Sequence, residues 1–487
     1  MATPIPENRA RFTLEEIVLA TRGTVRTMLP HYRIEVAGVV TDSRAVRPGG
    51  VFVALRGENH DGHAFVEGAT RRGAAVAIVE RGRGGELEGL VVIEVDDTLV
   101  AWGDLARAHL ERWREARAER RVVAITGSAG KTTTKELTAA LLAAVGPTHF
   151  TAGNLNNRIG VPSVVLSLEE GHRFAVLEMG MSLPGELDAI ASFAPPDVSI
   201  VTNVGVAHAE GVGGREGVMR EKGAVYRALA PDGVAIVNAD DDYATRAAQG
   251  TRAKRVVTFG KDEGARYRLV ERVPEGTGSR VTLARPGGAI TVHLPVPGEV
   301  AAIDLAAALA AQEAASDEIL SAAAIEAALA RIELSGRAKV MTLDRDVVVL
   351  DDTYNANPSS MRAALATLAE IGRGRRRVAI LGEMKELGPL AEAEHDALGE
   401  AVAEAKIDLL IGCGGLATRT VERARAKGLI EVVAANDTAE AAREAAARVR
   451  PGDAVLVKGS RGVRAERVVE ALVSWPNPSE SASSRSS

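Results

Sequence analysis

The 487-residue chain is too long for one hydrophobic core, and roughly three domains are expected. A net charge of -6 and only 3% aromatic residues argue against a nucleic-acid-binding surface, which needs clustered positive charge and stacking rings. The single cysteine, Cys413, excludes an intramolecular disulfide and a cysteine-based zinc site, and no apolar stretch suits a membrane span. We therefore expect a cytoplasmic protein.

Residues 1–117 mix short strands and helices and are expected to form a small α/β domain. Apolar runs in "VAGVVTDSR", "GVFVAL", "AAVAIVE" and "GLVVIEV" predict strands, and "HAFVEGATRRG" predicts a helix that ends at glycine. A long charged helix, "TLVAWGDLARAHLERWREARAER", follows. Its charge density is typical of a solvated face beside a domain boundary.

Residues 118–333 alternate between apolar strands and helices. The runs "VVAIT", "FAVLEMG", "VSIVTNVG", "GVAIVNAD" and "RVVTFG" are almost continuously apolar. Such runs predict a parallel, doubly wound sheet that is covered on both faces. Three further strands, "YRLVERV", "RVTLARP" and "AITVHLPV", suggest an antiparallel appendage before an alanine-rich helical stretch.

Residues 334–474 repeat this alternation and predict a second, Rossmann-like α/β domain. Its strands are "VVVLDDTY", "RVAILGEM", "LLIGCG", "IEVVAA" and "AVLVKGS". Cys413 lies in one of these runs and is expected to be a small buried residue. A cleft between the two large domains is the expected ligand site. The final residues, 475–487, have little apolar content and are expected to be a disordered tail.

The stretch "TGSAGKTTTKE" joins a predicted strand to a predicted helix through a small polar loop. Gly127 and Gly130 let the backbone approach an anion, and the first amides of the helix point toward it. Lys131 would reach the outer phosphates of a nucleotide, and Thr132 or Thr133 would hold magnesium. The spacing is shorter than the usual eight-residue pattern, so an ordinary turn is the alternative.

Polar residues also follow other strands of the predicted parallel sheet. In "VLEMG", Glu178 stands at the carboxyl end of a predicted strand, and Asn203 and His208 follow another strand. Oxygen and imidazole ligands for a metal are therefore expected near the phosphates. A helix-capping glutamate and a loop histidine are the alternatives. The loop "GNLNNRIGVP" suits either a turn or a binding site. Lys222 stands among charged residues and, on local sequence alone, suggests a solvated lysine.

Three strands of the last segment end in polar loops, "LDDTYNANPSSM", "LGEMKELG" and "LVKGSRG". The carboxyl ends of parallel strands meet at one edge of a sheet. The three loops together therefore predict a ligand-facing edge.

The order of these motifs resembles that of the Mur ligases. The resemblance runs from about residue 12 to about residue 472 and rests on "GSAGKTTTKE", "GNLNNRIGVP", "LEMGMSLPGEL", "TNVGVAHAEG", "DDTYNANPSSM", "LGEMKELG" with a later His395, and "VKGSRGVRAE". In the first segment, "TDSRAVRPGGVFVALRGENHDGHAFVEGATRRGA" is similar to the substrate domain of the family. The resemblance implies an ATP-dependent amide ligase that adds D-alanyl-D-alanine to UDP-N-acetylmuramoyl-tripeptide through an acyl phosphate.

The resemblance also implies roles for particular residues, with ATP, two Mg²⁺ ions and a carbamylated Lys222 as cofactors. For catalysis and metal binding it implies Lys131, Thr132, Glu178, His208 and Lys222. For the nucleotide it implies Gly127, Ser128, Ala129, Gly130, Lys131, Thr132, Thr133, Arg337 and Asp352. For the sugar nucleotide and the dipeptide it implies Ser43, Arg44, Asn154, Asn157, Asn355 and Asn357. A monomer without nucleic-acid or membrane partners is expected.

The chain departs from the family pattern at two places. Where the family shows Gly-x-His-Asn-x-x-Asn-Ala, the chain has Val300, Ala301 and Asp304 at the His and Asn positions. Ala224 replaces a glutamate that is common two residues after the lysine. The alternative functions are therefore a sister Mur-type or folylpolyglutamate-type ligase and a non-catalytic nucleotide-binding protein.

Overall fold

A computed structural model describes residues 3–26, 35–57, 60–83, 88–205, 209–332, 334 and 336–474. These residues form a two-stranded, a five-stranded, a nine-stranded and a six-stranded sheet. The three larger sheets use separate stretches of the chain, so the α/β fold class expected from the sequence is confirmed. The domain boundaries stay predictions, and the predicted tail at 475–487 lies outside the described residues.

The five-stranded sheet lies in the first region of the chain and has the order β2-β7-β6-β5-β4. Its strands are parallel except for β2. Val76, Ile78 and Ile93 are fully buried in it, as their continuous apolar runs require. This region contains β1 (Arg11–Thr13), β2 (Thr24–Val25), β3 (Glu35–Ala37), β4 (Val39–Val40), β5 (Val51–Val53), β6 (Val76–Glu80), β7 (Val91–Val95), α1 (Leu14–Thr21), α2 (Val66–Arg71) and α3 (Thr98–Glu115).

Helix α3 connects the region of the five-stranded sheet to the central region and packs against the latter. Asp97 caps its amino end by accepting hydrogen bonds from the amides of Leu99 and Val100. Trp102 and Trp113 are buried, and their indole N–H groups donate to the carbonyls of Ile159 and Glu169 at 3.0 and 3.1 Å. One face of the charged helix is therefore solvated as expected, while the other is an interface.

The central sheet has the order β16-β15-β14-β13-β12-β11-β8-β10-β9. The strands from β9 to β13 are parallel, and the predicted antiparallel appendage continues the same sheet through β14. The strands are β8 (Arg121–Thr126), β9 (Thr148–Phe150), β10 (Phe174–Glu178), β11 (Val198–Val201), β12 (Val234–Asn238), β13 (Arg255–Gly260), β14 (Tyr267–Glu275), β15 (Gly278–Arg285) and β16 (Gly288–Leu294). The helices are α4 (Lys131–Ala143), α5 (Gly160–Leu166), α6 (Glu186–Phe193), α7 (Ala209–Val212), α8 (Gly214–Lys222), α9 (Ala224–Arg227), α10 (Asp242–Ala248), α11 (Glu299–Ser316) and α12 (Ala322–Leu329).

The last sheet has the order β17-β18-β22-β19-β20-β21, with β17 antiparallel and the others parallel. Cys413 is buried in β20, which confirms its predicted environment. The strands are β17 (Lys339–Leu343), β18 (Val347–Asp352), β19 (Arg377–Gly382), β20 (Leu409–Cys413), β21 (Glu431–Ala435) and β22 (Ala454–Lys458). The helices are α13 (Pro358–Ile371), α14 (Ala391–Glu404), α15 (Ala417–Ala426), α16 (Thr438–Arg448) and α17 (Glu466–Val473).

Among the described residues, no helix is long and apolar enough to cross a membrane. The carboxyl ends of the strands in the two larger sheets carry the polar loops singled out in the sequence, and these loops face each other across a cleft.

Candidate active site

The glycine loop at residues 127–130, or phosphate loop, connects β8 to α4. Gly127 and Gly130 have φ angles of +155° and +80°, which glycine adopts at little cost. Gly130 caps α4, and a Cβ atom there would lie 2.7 Å from Asp304 Oδ1. The first amides of α4 have no partner within the helix, an arrangement that suits an anion at its amino end. The predicted strand, loop and helix are therefore all present.

Asn203 holds the middle of this loop. Its backbone carbonyl and side-chain oxygen accept hydrogen bonds from the amides of Ser128 and Ala129, at 3.0 and 2.9 Å. Lys131 Nζ donates to the carbonyl of Gly127 at 2.7 Å, so the lysine folds back over the loop. Burial lowers the pKa of Lys131, as does the charge of Arg337, while Glu178 opposes the shift.

Glu178, at the end of β10, is a buried carboxylate with two side-chain donors. The Thr132 hydroxyl donates to Oε2 at 2.6 Å, and Asn156 Nδ2 donates to Oε1 at 2.8 Å. Burial opposes ionisation, but the charges of Arg337 and Lys131 outweigh it and lower the pKa of Glu178. The carboxylate is thus ionised beside the phosphate loop, and the alternative of a helix-capping glutamate is wrong.

Lys222 ends α8 inside the same cleft with only 1% of its surface exposed. Within the described part of the chain, no side chain or carbonyl forms a hydrogen bond or ion pair with its ammonium group. Burial, followed by the charge of Lys131, places the pKa of Lys222 well below its ordinary value. The solvated lysine suggested by local sequence is therefore wrong, and a neutral amine is favoured.

The third sheet supplies the opposite wall of the cleft. The Arg337 guanidinium lies 3.8 Å from the centre of the Tyr354 ring. Lys458 Nζ pairs with Asp352 and donates to the carbonyl of Asn355 at 2.9 Å. These contacts hold the "DDTYNAN" loop in place, and polar side chains of this loop line the cavity.

Asn357 joins the two walls directly. Its side-chain oxygen caps α13 by accepting from the amide of Ser360 at 2.9 Å, ahead of Pro358 at the first helical position. Its side-chain nitrogen donates to the carbonyl of Ser128 at 3.1 Å. The phosphate loop and the third domain therefore bound a single space.

A cavity of about 780 Å³ fills this space. Most of the predicted site residues line it, namely Ser128, Ala129, Gly130, Lys131, Thr133, Asn154, Asn157, Glu178, Lys222, Arg337, Asp352, Asn355 and Asn357. Gly127 and Thr132 are not lining residues, but each contacts one: the Gly127 carbonyl accepts from Lys131 Nζ, and the Thr132 hydroxyl donates to Glu178. His208 lies outside the described residues.

Two asparagines of the "GNLNN" loop have local partners as well. Asn154 Oδ1 accepts from the Thr3 hydroxyl at 2.6 Å, and Asn157 Oδ1 accepts from the amide of Gly160 at 2.8 Å. The loop therefore forms a turn, and both asparagines also line the cavity. Ser43 and Arg44 lie apart from the cavity, on a 3-10 turn that Asp42 caps, and Arg44 pairs with Asp42 at 2.7 Å.

Two residues in the cavity wall were not identified from the residues alone. Asn156 was visible only as one of several asparagines, and its contact with Glu178 needs the fold. Asp304, which departs from the family pattern, is 3% exposed and lies against the phosphate loop. Burial raises its pKa well above the ordinary value, so that this carboxyl favours its protonated form.

A magnesium ion suits some of these groups. The hydroxyl of Thr132 and the carboxylate of Glu178 are hard oxygen donors that lie within 2.6 Å of each other at the phosphate loop. A lysine ammonium cannot ligate a cation, so Lys222 fits a metal site only after conversion to a carboxylate-like group. The described residues contain no cluster of three or more histidine, cysteine or acidic side chains able to hold a metal.

Known proteins resemble this chain along nearly its whole length. The Mur ligase family catalytic domain matches residues 35–109, the Mur ligase middle domain residues 125–312, and the Mur ligase glutamate ligase domain residues 336–461. The UDP-N-acetylmuramoyl-tripeptide--D-alanyl-D-alanine ligase of Bacillus subtilis is 33% identical over 95% of this chain and 99% of its own length.

Solved structures give the same result. MurF from Acinetobacter baumannii is 32% identical, with a TM-score of 0.83 over 97% of this chain and all of that one. MurF from Thermotoga maritima, solved in complex with ADP, is 30% identical, with a TM-score of 0.79 over 90% and 97%. Three Mur ligase domains match in order, and a relative more than 30% identical covers nearly the whole chain. This chain therefore belongs to the Mur ligase family.

Proposed function

We propose that this protein is an ATP-dependent ligase that adds D-alanyl-D-alanine to UDP-N-acetylmuramoyl-tripeptide and releases ADP and phosphate. The product, a UDP-N-acetylmuramoyl-pentapeptide, is a precursor of peptidoglycan. One observation carries this function: a single cavity joins the phosphate loop and the buried pair Thr132–Glu178 to the asparagine-rich loop of the third domain. The Bacillus subtilis relative, which matches over 99% of its own length, is named as the ligase that carries out this reaction.

In this proposal, the nucleotide phosphates lie on the amides at the start of α4, with Lys131 turned from the Gly127 carbonyl toward them. Arg337 and Asp352 approach the nucleotide from the third domain. Thr132 and Glu178 would hold a magnesium ion, which would supply positive charge beside the nucleotide phosphates.

The reaction has two steps. A carboxylate oxygen of the tripeptide attacks the γ-phosphorus, and the bond to the bridging oxygen breaks, which leaves an acyl phosphate and ADP. The amine of D-alanyl-D-alanine then attacks the acyl carbon, loses a proton, and expels inorganic phosphate. Neither step needs a protein nucleophile, so the site must position the reactants and balance their negative charge.

Lys222 is proposed to react with carbon dioxide. A neutral amine attacks the carbon of CO₂, a nitrogen–carbon bond forms and one proton leaves, which gives a carbamate. The burial of Lys222 and its lowered pKa support this step because they favour the neutral amine. The carbamate would supply an oxygen ligand for a second magnesium ion, together with His208.

The acyl substrate and the dipeptide are assigned to opposite sides of the cavity. Ser43 and Arg44 would hold the UDP-sugar on the first domain, and Asn154 and Asn157 would hold the part next to the reacting carboxylate. Asn355 and Asn357 would face the dipeptide. We propose a monomer in the cytoplasm, where ATP and nucleotide sugars are available.

Phosphate release by the purified protein tests the function. With ATP, magnesium and UDP-N-acetylmuramoyl-tripeptide, we expect release to depend on D-alanyl-D-alanine and the product to be heavier by that dipeptide. Release with single amino acids instead would indicate a sister ligase. Nucleotide binding without turnover would indicate a non-catalytic homologue.

A further inference from the structure

Arg215 is held in a fixed orientation at the rim of the cavity. Its Nε donates to the carbonyl of Val204 at 2.7 Å, and Nη2 lies 3.4 Å from Asp241 Oδ1. The guanidinium carbon lies 4.0 Å from the centre of the Tyr243 ring. An arginine that is stacked and hydrogen-bonded in this way has already lost most of its side-chain freedom, so it can bind a ligand at low entropic cost.

One arm of this guanidinium is left for a ligand. Nη1 has no hydrogen bond or ion pair with the described residues, and Arg215 lines the same cavity as Lys222. Asp241 contacts Nη2 and not Nη1, and its two oxygens also accept hydrogen bonds from the amides of Val204, Tyr243 and Ala244. The free arm therefore favours an anionic ligand, and a planar carboxylate fits its geometry.

The position of Arg215 limits which carboxylate it can reach. Arg215 and Lys222 are the second and last residues of α8, seven residues apart, which places them about 10 Å apart along the helix axis. In the proposed reaction, the tripeptide carboxylate that attacks the γ-phosphorus lies near Lys222 and Glu178. A second carboxylate at the far end of the same amino acid, about 7 Å away in an extended chain, would come within reach of Arg215.

We propose that Arg215 binds the carboxylate at the end of the third residue of the tripeptide. This residue would then be a diamino acid with a second carboxylate, such as diaminopimelate, rather than lysine, whose side chain ends in an amine alone. The inference rests on the proposed function and identifies the acyl substrate more closely.

The chain provides a matched control for Arg215. Arg246 lies 5.1 Å from the same Tyr243 ring and pairs with Glu216 at 2.9 Å, but it does not line the cavity. Replacing either arginine by methionine removes one guanidinium from this ring. Only Arg215→Met removes it from the cavity.

The test is ligation of D-alanyl-D-alanine to two UDP-N-acetylmuramoyl-tripeptides, one ending in diaminopimelate and one in lysine. The wild type is expected to favour the diaminopimelate substrate by about tenfold in kcat/KM, as for loss of one charge-assisted hydrogen-bond pair. Arg215→Met should remove this preference by raising KM for that substrate alone. Arg246→Met should keep it, and Arg215→Lys should keep part of it.

Two results would overturn the assignment. An equal rise of KM for both substrates in Arg215→Met would mean that the arginine binds a carboxylate common to both, such as that of the second residue. A wild type that favours lysine would exclude the diaminopimelate site. Failure of the wild type to ligate either substrate would instead refute the proposed function, and melting temperatures together with ADP binding check that each variant is folded.

Discussion

Asn156 gives a direct test of how the buried carboxylate at the phosphate loop is held in place. Its Nδ2 donates to Glu178 Oε1 at 2.8 Å, while the Thr132 hydroxyl holds the other oxygen at 2.6 Å. Asn156→Leu removes the first of these bonds with little change in volume. Glu178 is 1% exposed, so water has little access to replace the lost donor. The carboxylate should then lose its fixed orientation.

The size of the effect follows from the lost bond. A hydrogen bond to a charged group contributes about 1.5–3 kcal/mol, which corresponds to a factor of about 10 to 100 in an equilibrium constant. We expect weaker Mg²⁺ binding of about this factor, seen as a higher Mg²⁺ concentration for half-maximal ligation. Electron paramagnetic resonance of Mn²⁺ in the ADP complex should show the same weakening without turnover.

Two variants make this prediction specific. Asn156→Asp keeps the shape but places a second carboxylate against Glu178, so we expect a change in metal affinity that depends on pH. Asn436→Leu removes a similar amide–carboxylate bond, from Asn436 Nδ2 to Glu440 at 2.8 Å, on an exposed surface away from the cavity. An unchanged Mn²⁺ affinity in folded Asn156→Leu would refute the idea that Asn156 orients Glu178 for the metal.

Three further predictions concern ionisable groups that are buried or half-buried. Lys222→Ala should lower phosphate release at least about 100-fold, and acetate should restore part of it; full activity without acetate would exclude a carbamate at this position. Burial raises the pKa of Asp304, so the folded protein keeps a proton that the unfolded chain loses. Asp304→Asn should therefore raise the melting temperature increasingly as pH rises above the ordinary aspartate range, and a gain that does not depend on pH would contradict this. Burial and the charge of His172 lower the pKa of His149 from 6.5 to about 4. Stability is then lost as pH falls from 6.5 to 4, by up to about 3 kcal/mol, and His149→Gln should flatten this part of a urea-unfolding profile; an unchanged slope would show that another group titrates.

The strands and helices of the two larger α/β units, built on the nine-stranded and six-stranded sheets, were largely predictable from local sequence. Continuous valine and isoleucine runs identify buried parallel strands, since both faces of such strands are covered. The strand β17 was missed, because Lys339–Leu343 is an exposed edge strand and its side chains lack the continuous apolar pattern. The glycine loop before Lys131 was recognisable because its conformation depends on the glycines themselves.

Other parts of the site depend on contacts between distant segments. Asn156 meets Glu178 across 22 positions, and Asn357 meets Ser128 across 229. No local pattern encodes such a pair. The resemblance to Mur ligases named Asn357 as a candidate, but the bond to the phosphate loop exists only once both sheets are assembled.

Lys222 shows which properties of a residue follow from the sequence and which follow only from the tertiary structure. The sequence by itself determined that α8 carries a lysine among charged residues, in a chain with a phosphate loop, two doubly wound units and polar strand ends. Only the tertiary structure decided that this lysine is buried in the cleft with a lowered pKa. The physical reason is that local sequence sets backbone conformation and the polarity of each face, whereas burial and charge environment depend on which distant segments pack against that face.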